Sequence, residues 1–200
     1  MKLKLYHTPQ SRSIRPRWLM EELGLDYELV TIDLFEGEGE TVEYKKIHPL
    51  GQVPALAVNN DIMLESGAMC HWLTDSYEDH SLAPAIGDPA RRQYEQWMTF
   101  SLASLEPWPW LAMLHSRFLP EDQRVEEIVP WANQRVIPVL IALNDALLGK
   151  DYLLGKQFTT ADIMVGSTLL WVPQLLGDFP DLLAYAQRLK ARPAYQRAMA

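Results

Sequence analysis

The stretch Gly51-Gln52-Val53-Pro54-Ala55-Leu56, followed shortly by Leu64-Glu65-Ser66-Gly67-Ala68, constrains this chain more than any other. A proline directly before an apolar run removes one ladder N–H and holds Val53 in an extended conformation. Pro54 therefore belongs at the first residue of a strand or at a sheet edge, where the Val53–Pro54 bond is open to either isomer. Such a strand start offers the N–H and C=O of Val53 to an extended peptide, which would pair as an added strand. Glu65-Ser66 stands where an apolar strand ends and a helix begins, and backbone N–H groups with a hydroxyl at a helix start suit a carboxylate. Together the two segments point to a small acidic peptide as ligand.

The chain before residue 80 alternates short strands and helices. Residues 2–6 read as a strand, and Ser13 to Leu23 as a helix that Gly24 stops, with Pro16 tolerated in its first turn. Tyr27 to Ile32 alternates as a second strand, and a right-handed crossover makes the two strands parallel neighbours. The acidic segment Phe35 to Glu40 is expected to be a solvated connection. Residues 55–58 and 62–64 flank Asn59-Asn60-Asp61, a hairpin signal, and Ser66 to Tyr77 reads as a helix. This βαβ–αββα order is that of a thioredoxin-like α/β domain over residues 1–79.

Composition changes after Asp79, and residues 80–87 read as a linker. Asp88-Pro89 supplies an N-cap and a proline at the first helical position, opening an all-helical domain over 88–200. Trp97, Phe100 and Leu105 suit a long helix interrupted at Pro107-Trp108-Pro109. A further helix is expected from about Glu121 to Leu148, kinked at Pro130 and Pro138 and ended by Gly149. Helices over Thr159–Leu176 and Asp181–Ala191 follow. Thr159 and Asp162 have the spacing of a capping box, with Phe158 and Ile163 as its hydrophobic staple.

Composition excludes several functions. The net charge of −8 and a pI near 5.1 disfavour nucleic acid or an anionic membrane as the main partner. No apolar run approaches a membrane span, and no secretory segment opens the chain. Cys70 is the single cysteine, which excludes an intramolecular disulfide and fits a reducing, cytoplasmic compartment. The five histidines, His7, His48, His71, His80 and His115, form no pair at zinc-ligand spacing, so no metal is expected.

The order Val-Pro, apolar strand, Glu-Ser, helix, joined to Phe158-Thr159-Thr160-Ala161-Asp162-Ile163 downstream, resembles the glutathione transferases from the first strand to the last helix. The resemblance implies a thioredoxin-like N-terminal domain, an all-α C-terminal domain, a cis Val53–Pro54 bond, glutathione as co-substrate and a homodimer. It also implies that Val53 pairs with the cysteinyl unit of glutathione, while Glu65 and Ser66 hold the γ-glutamyl amine and carboxylate. Gln52, beside Val53 and Pro54, would contact one end of the peptide, or else stand as a solvated loop residue. His48 would reach the glycine carboxylate, or else lie at the surface.

The loop Tyr6 to Pro16 carries the chemistry. In a thioredoxin-like domain the helix that follows bears the reactive sulfur, because unpaired N–H groups and the helix dipole favour thiolate. No cysteine stands there, so the thiol must come from the ligand and the protein must supply a donor to it. Ser11 is the expected donor, at the spacing from Tyr6 seen in serine-type transferases of the theta and zeta classes. Arg12, Ser13 and Tyr6 stay open as alternatives; Arg12 aligns with the cysteine of the beta class, and Ser13 also suits a helix N-cap. Arg15 reads as a solvated helix position.

Cys70, mid-helix, reads as a small buried hydrophobe. Trp108, Trp110, Leu111 and Leu114 suit a helical core, or else line an inter-domain apolar pocket with Pro9 and Gln10 for a small hydrophobic electrophile. The expected activity is glutathione transfer to that electrophile. Alternatives are a glutathione-dependent peroxidase, isomerase or dehalogenase, or a regulatory protein that kept the fold, as stringent-starvation-type proteins do. For the dimer, the helices from Ser66 and Asp88 would supply Met69, Trp72, Trp97 and Phe100, with Arg91 and Arg92 meeting Glu78 or Asp79 across the axis.

Overall fold

Alternation along β1 (Leu3–His7) buries Leu3, Leu5 and His7 and leaves Lys4 and Tyr6 half-exposed, as a strand covered on one face requires. The computed structural model describes residues 1–77 and 81–200, so Glu78, Asp79 and His80 lie outside the described residues. The chain divides into one unit of Met1–Leu82 with Lys190–Ala200 and a second of Ala83–Leu189.

In the first unit, β1 leads through a loop into α1 (Ile14–Glu22), which ends at Gly24 with φ +62°. After β2 (Glu28–Thr31) come a 3₁₀ turn (Glu38–Glu40) and the short α2 (Val42–Lys45), capped by the Thr41 hydroxyl on the Tyr44 N–H. A hairpin, β3 (Ala55–Val58) and β4 (Asp61–Met63), then runs into α3 (Ser66–Ser76). The sheet order is β2-β1-β3-β4, with β1 and β2 parallel and the other pairs antiparallel. α1 packs on α3, burying Trp18, Leu19, Met20, Met69 and Leu73 completely.

Two features of this unit differ from the sequence expectation. The acidic segment is not merely a solvated connection: Gly39 is buried with its Cα against the Gly51 carbonyl, too close for any Cβ. It therefore braces the loop that carries Gln52 and Val53. The C-terminal α9 (Pro193–Met199), expected in the helical domain, packs on α1 within the first unit. Tyr195 stands edge-on to the buried Trp18 at 4.8 Å, and Arg192 clamps Glu22 through two bonds of 2.6 and 2.7 Å.

The second unit contains helices only among its described elements. α4 (Arg91–Phe100) starts later than expected: Ala90 is its N-cap, and Asp88 instead accepts the Ala90 N–H at 2.8 Å. The expected break at Pro107 is replaced by wide π-helical turns over Ser101–Leu105 and Leu114–Phe118, on either side of α5 (Pro107–Met113). Pro107 and Pro109 lack N–H groups, so the chain shifts register, and Glu106 bonds to the Ser101 carbonyl five residues back. Residues 121–123 form only a 3₁₀ turn, and α6 spans Ile128–Leu147 with Pro138 inside it. α7 (Thr160–Leu169) is buried along its whole length and packs on α4; a 3₁₀ turn (Pro173–Leu175) and α8 (Pro180–Lys190) follow.

The capping box stands at the start of α7. The fully buried Asp162 accepts the Thr159 N–H at 2.8 Å and hydroxyl at 2.9 Å on one oxygen, and the Leu153 N–H and Tyr185 hydroxyl, each at 2.9 Å, on the other. Met69 and Trp97, expected at a dimer interface, are already buried within the single chain, whereas Trp72 and Phe100 are half-exposed. Arg91 pairs with Glu95 at 2.6 Å on its own helix; its expected partners Glu78 and Asp79 lie outside the described residues.

Candidate functional site

Strand register alone gathers three segments at one end of the sheet. β1 ends at His7, and Tyr6 is paired with Ala55, the first residue of antiparallel β3. β4 returns beside β3, so Met63 pairs with Leu56 at that same end. The loop after β1, the Gln52-Val53-Pro54 segment before β3 and Glu65-Ser66 after β4 therefore leave the sheet together.

In the first segment, Ser11 is half-buried and its hydroxyl donates to the Thr8 carbonyl at 2.7 Å. It lies 2.6 Å from the Ser13 hydroxyl, which lies 2.7 Å from His7 Nδ1. Ser13 is fully buried and makes no side-chain cap on α1; its hydroxyl faces His7 instead. Thr8 anchors the loop to the neighbouring strand end through a 2.6 Å bond from its hydroxyl to the Ile32 carbonyl. Burial, with Arg17 nearby, pushes His7 down to about 4, so its ring is neutral at pH 7. Pro9 and Gln10 are exposed, Gln10 in a left-handed conformation at φ +59°. Arg12 is half-buried, and Tyr6 packs on Tyr44 with ring centres 5.9 Å apart.

The second segment holds the cis Val53–Pro54 bond. Val53 is buried with Ile32 and Tyr44, while the Gln52 side chain is exposed. The Tyr44 hydroxyl donates to the Gln52 carbonyl at 2.7 Å, and burial pushes that phenol up to about 12. His48 is buried rather than at the surface, with Nδ1 accepting the Leu50 N–H at 3.3 Å. Burial lowers its pKa, and the negative charge of Glu65 opposes that shift.

In the third segment Glu65 sits at φ +71°, ψ 108°, a conformation that costs a non-glycine residue energy and that recurs at ligand sites. Its side chain is exposed, whereas Ser66, the first residue of α3, is buried. Arg15 is fully buried, and its Nη1 donates to the Ser66 hydroxyl at 3.2 Å. The solvated helix position expected for Arg15 is thus wrong. Arg15 is spaced i, i+4 from Leu19, the helical signal that could have placed it on the buried face. Sequence reasoning also missed His7, Thr8 and Tyr44 as supports of the site. Cys70 is completely buried, which pushes its thiol up to about 12.

The remaining candidates lie in the second unit. Trp108 is half-buried, edge-on to Trp131 of α6 at 5.6 Å, with the Arg135 guanidinium 5.1 Å over its ring. Trp110 packs on Phe118 at 5.5 Å, and Leu111 and Leu114 are half-exposed. The unit also carries an open polar depression of about 510 Å³ lined by His115, Ser116, Glu121, Arg124, Glu126 and Val129, none of them an expected site residue.

Residues 1–75 match the family model for the glutathione S-transferase N-terminal domain, and residues 104–193 match that for its C-terminal domain. A zeta-class glutathione S-transferase of Euphorbia esula is 32% identical, over 99% of this chain and 90% of its own. The crystal structure of a glutathione transferase from Methylococcus capsulatus aligns with a TM-score of 0.87 at 28% identity, over 98% of this chain and 97% of that one. A sphingomonad glutathione S-transferase, solved in complex with glutathione, aligns at 0.84 and 27% identity, over 98% and 96% of the two chains. With both domain models matched and a relative of this identity aligned over nearly its whole length, the chain belongs to the glutathione S-transferase family.

Proposed function

We propose that the protein binds glutathione at the sheet end where Ser11, Val53 and Glu65-Ser66 converge, and joins the tripeptide through its sulfur to a small apolar electrophile. The convergence of those three segments, set by the register Tyr6↔Ala55 and Leu56↔Met63, carries this reading. The Val53 backbone pairs with the cysteinyl unit, and Glu65 and Ser66 take the γ-glutamyl amine and carboxylate. Gln52 and His48 face the other end of the peptide. Ser11, half-buried with a hydroxyl, donates to the thiolate.

A free thiol with a pKa near 8.5 is mostly protonated at neutral pH, and bringing it to about 6.5 requires roughly 2.7 kcal/mol of selective thiolate stabilisation. One hydroxyl donor, neighbouring N–H groups and a cation supply interactions of that size. The thiol proton passes to solvent, and a sulfur lone pair forms the new C–S bond. In a substitution the leaving group departs with its bonding pair; in an addition the displaced pair takes a proton from water. In this reading Pro9, exposed in the same loop as Ser11, supplies an apolar contact to the electrophile.

We further propose a cytoplasmic homodimer, which light scattering would record as about twice the 22.9 kDa chain mass. Among the described residues no helix is long and apolar enough to cross a membrane. Retention on immobilised glutathione, followed by conjugation to a chromogenic electrophile, tests the activity. Retention without turnover would leave a glutathione-binding protein, and failure to be retained would remove the reading altogether.

A further inference from the structure

The hydroxyl of Ser11 is not an isolated group. It ends a buried chain whose hydrogen positions are settled by one residue, Arg17. Its Nη1 lies 3.4 Å from His7 Nε2, and a guanidinium has donors only, so Nε2 must accept. The neutral ring then carries its proton on Nδ1, which donates to Ser13 Oγ at 2.7 Å. Ser13 Oγ also accepts the Thr8 N–H at 3.2 Å, so both of its lone pairs are occupied. Its own hydrogen must go outward, and the shortest acceptor is Ser11 Oγ at 2.6 Å; the Thr8 carbonyl is at 3.1 Å. Ser11 Oγ accepts in addition the Ser13 N–H at 3.2 Å. With both of its lone pairs taken, Ser11 can act only as a donor. It donates to the Thr8 carbonyl at 2.7 Å, a bond that a thiolate would have to replace.

We infer that His7 and Ser13 are positioning residues: the chain His7 Nδ1–H, Ser13 O–H, Ser11 O–H leaves Ser11 able only to donate, so that its hydrogen serves the bound thiolate in place of the Thr8 carbonyl. Neither His7 nor Ser13 touches the ligand, since both are buried while Ser11 is half-exposed. Each link polarises the next, so the last donor binds negative charge more strongly than a lone serine would. A thiol makes no comparable demand, and the chain therefore favours thiolate over thiol rather than glutathione over solvent. The inference rests on Ser11 being the thiolate donor, as proposed above.

The test uses the full chain with glutathione, reading the pKa of the bound thiol from thiolate absorbance together with kcat and KM. Two amides of similar size at residue 7 separate the chain from mere packing. His7→Asn keeps an N–H near the position of Nδ1, and His7→Gln keeps one only near Nε2. Ser13→Ala and His7→Gln should raise the bound-thiol pKa by about one, a tenfold smaller thiolate fraction at pH below it, with the KM for glutathione nearly unchanged. His7→Asn should keep the pKa of the parent protein. Nitrogen NMR of the unaltered protein should find the His7 proton on Nδ1, a readout that needs no variant to fold. A proton on Nε2, equal thiol pKa values in the Asn and Gln variants, or no shift in Ser13→Ala while Ser11→Ala does shift it, would each overturn the chain and leave Ser11 in place. A parent protein that binds no glutathione, or an unchanged thiol pKa in Ser11→Ala, would overturn the reading of Ser11 and the chain with it.

Discussion

Arg15 Nη1 donates to the Ser66 hydroxyl at 3.2 Å across 51 residues of sequence, and both side chains are buried. This bond ties the first turn of α1 to the first residue of α3. Because the guanidinium only donates, the hydrogen of Ser66 stays available to a ligand oxygen, and a positive charge lies behind the helix start. Arg15→Met, which keeps the length of the stem, is expected to weaken glutathione binding about tenfold, close to 1.4 kcal/mol, with a smaller change in kcat. Lysine should not restore it, since it lacks the planar fork. Calorimetric titration with glutathione measures the effect, and native affinity in Arg15→Met would take Arg15 out of the site.

His7 makes stability depend on pH in a definite direction. Its pKa falls from 6.5 to about 4 on folding, because burial disfavours the charged ring and Arg17 repels it. Above the unfolded value the ring is neutral in both states and nothing is lost. Below it the unfolded chain takes up a proton that the folded chain refuses until about pH 4. Stability should therefore drop as pH falls through that window, by up to about 3 kcal/mol. His48, whose pKa is also lowered, adds in the same sense. Urea unfolding across that range should show a shallower pH slope for His7→Asn than for the parent chain; equal slopes would exclude His7 as the cause.

The Thr159–Asp162 cap is expected to act on stability and not on the proposed glutathione chemistry. Thr159→Ala should cost about 1 kcal/mol. Asp162→Ala should cost more, about 3 kcal/mol, because it strands the buried Leu153 and Thr159 N–H groups and leaves the Tyr185 hydroxyl only the Asp162 backbone carbonyl at 3.5 Å. The two losses should not add, since the groups share bonds. Denaturant midpoints give the energies, and activity per folded molecule should stay at the parent level. A stable variant with lost turnover would contradict this division.

Cys70 should be chemically silent in the folded protein. Its thiol is fully buried and pushed up to about 12, so the thiolate that reacts with disulfide reagents is absent at neutral pH. Labelling by an aromatic disulfide should proceed only at the rate of unfolding and accelerate in urea. Fast labelling in buffer would mean that α3 opens locally.

What the sequence determined by itself is whatever depends on near neighbours. The βαβ start, the hairpin at Asn59-Asn60-Asp61, the glycine that ends α1 and the Thr159 capping box are written in spacings of two to four residues or in the geometry of one side chain, whereas the cis form of Val53–Pro54 follows from the family resemblance. Val53 and Glu65-Ser66 of the proposed site stand at a strand start and a helix start, which have local signatures, whereas Ser11 is singled out by its spacing in serine-type transferases. Tertiary structure decided the partners. The hydroxyl of Ser13, suited to an N-cap, turns to His7 because β1 brings that ring underneath it. Arg15, polar by type, is buried because α3 places Ser66 within its reach. Residues 190–200 join the first unit because Glu22 and Trp18 await Arg192 and Tyr195, far away in sequence. Burial and hydrogen-bond partnership are properties of pairs brought together by folding, and a charged or hydroxylated side chain carries no local mark of the neighbour it will meet.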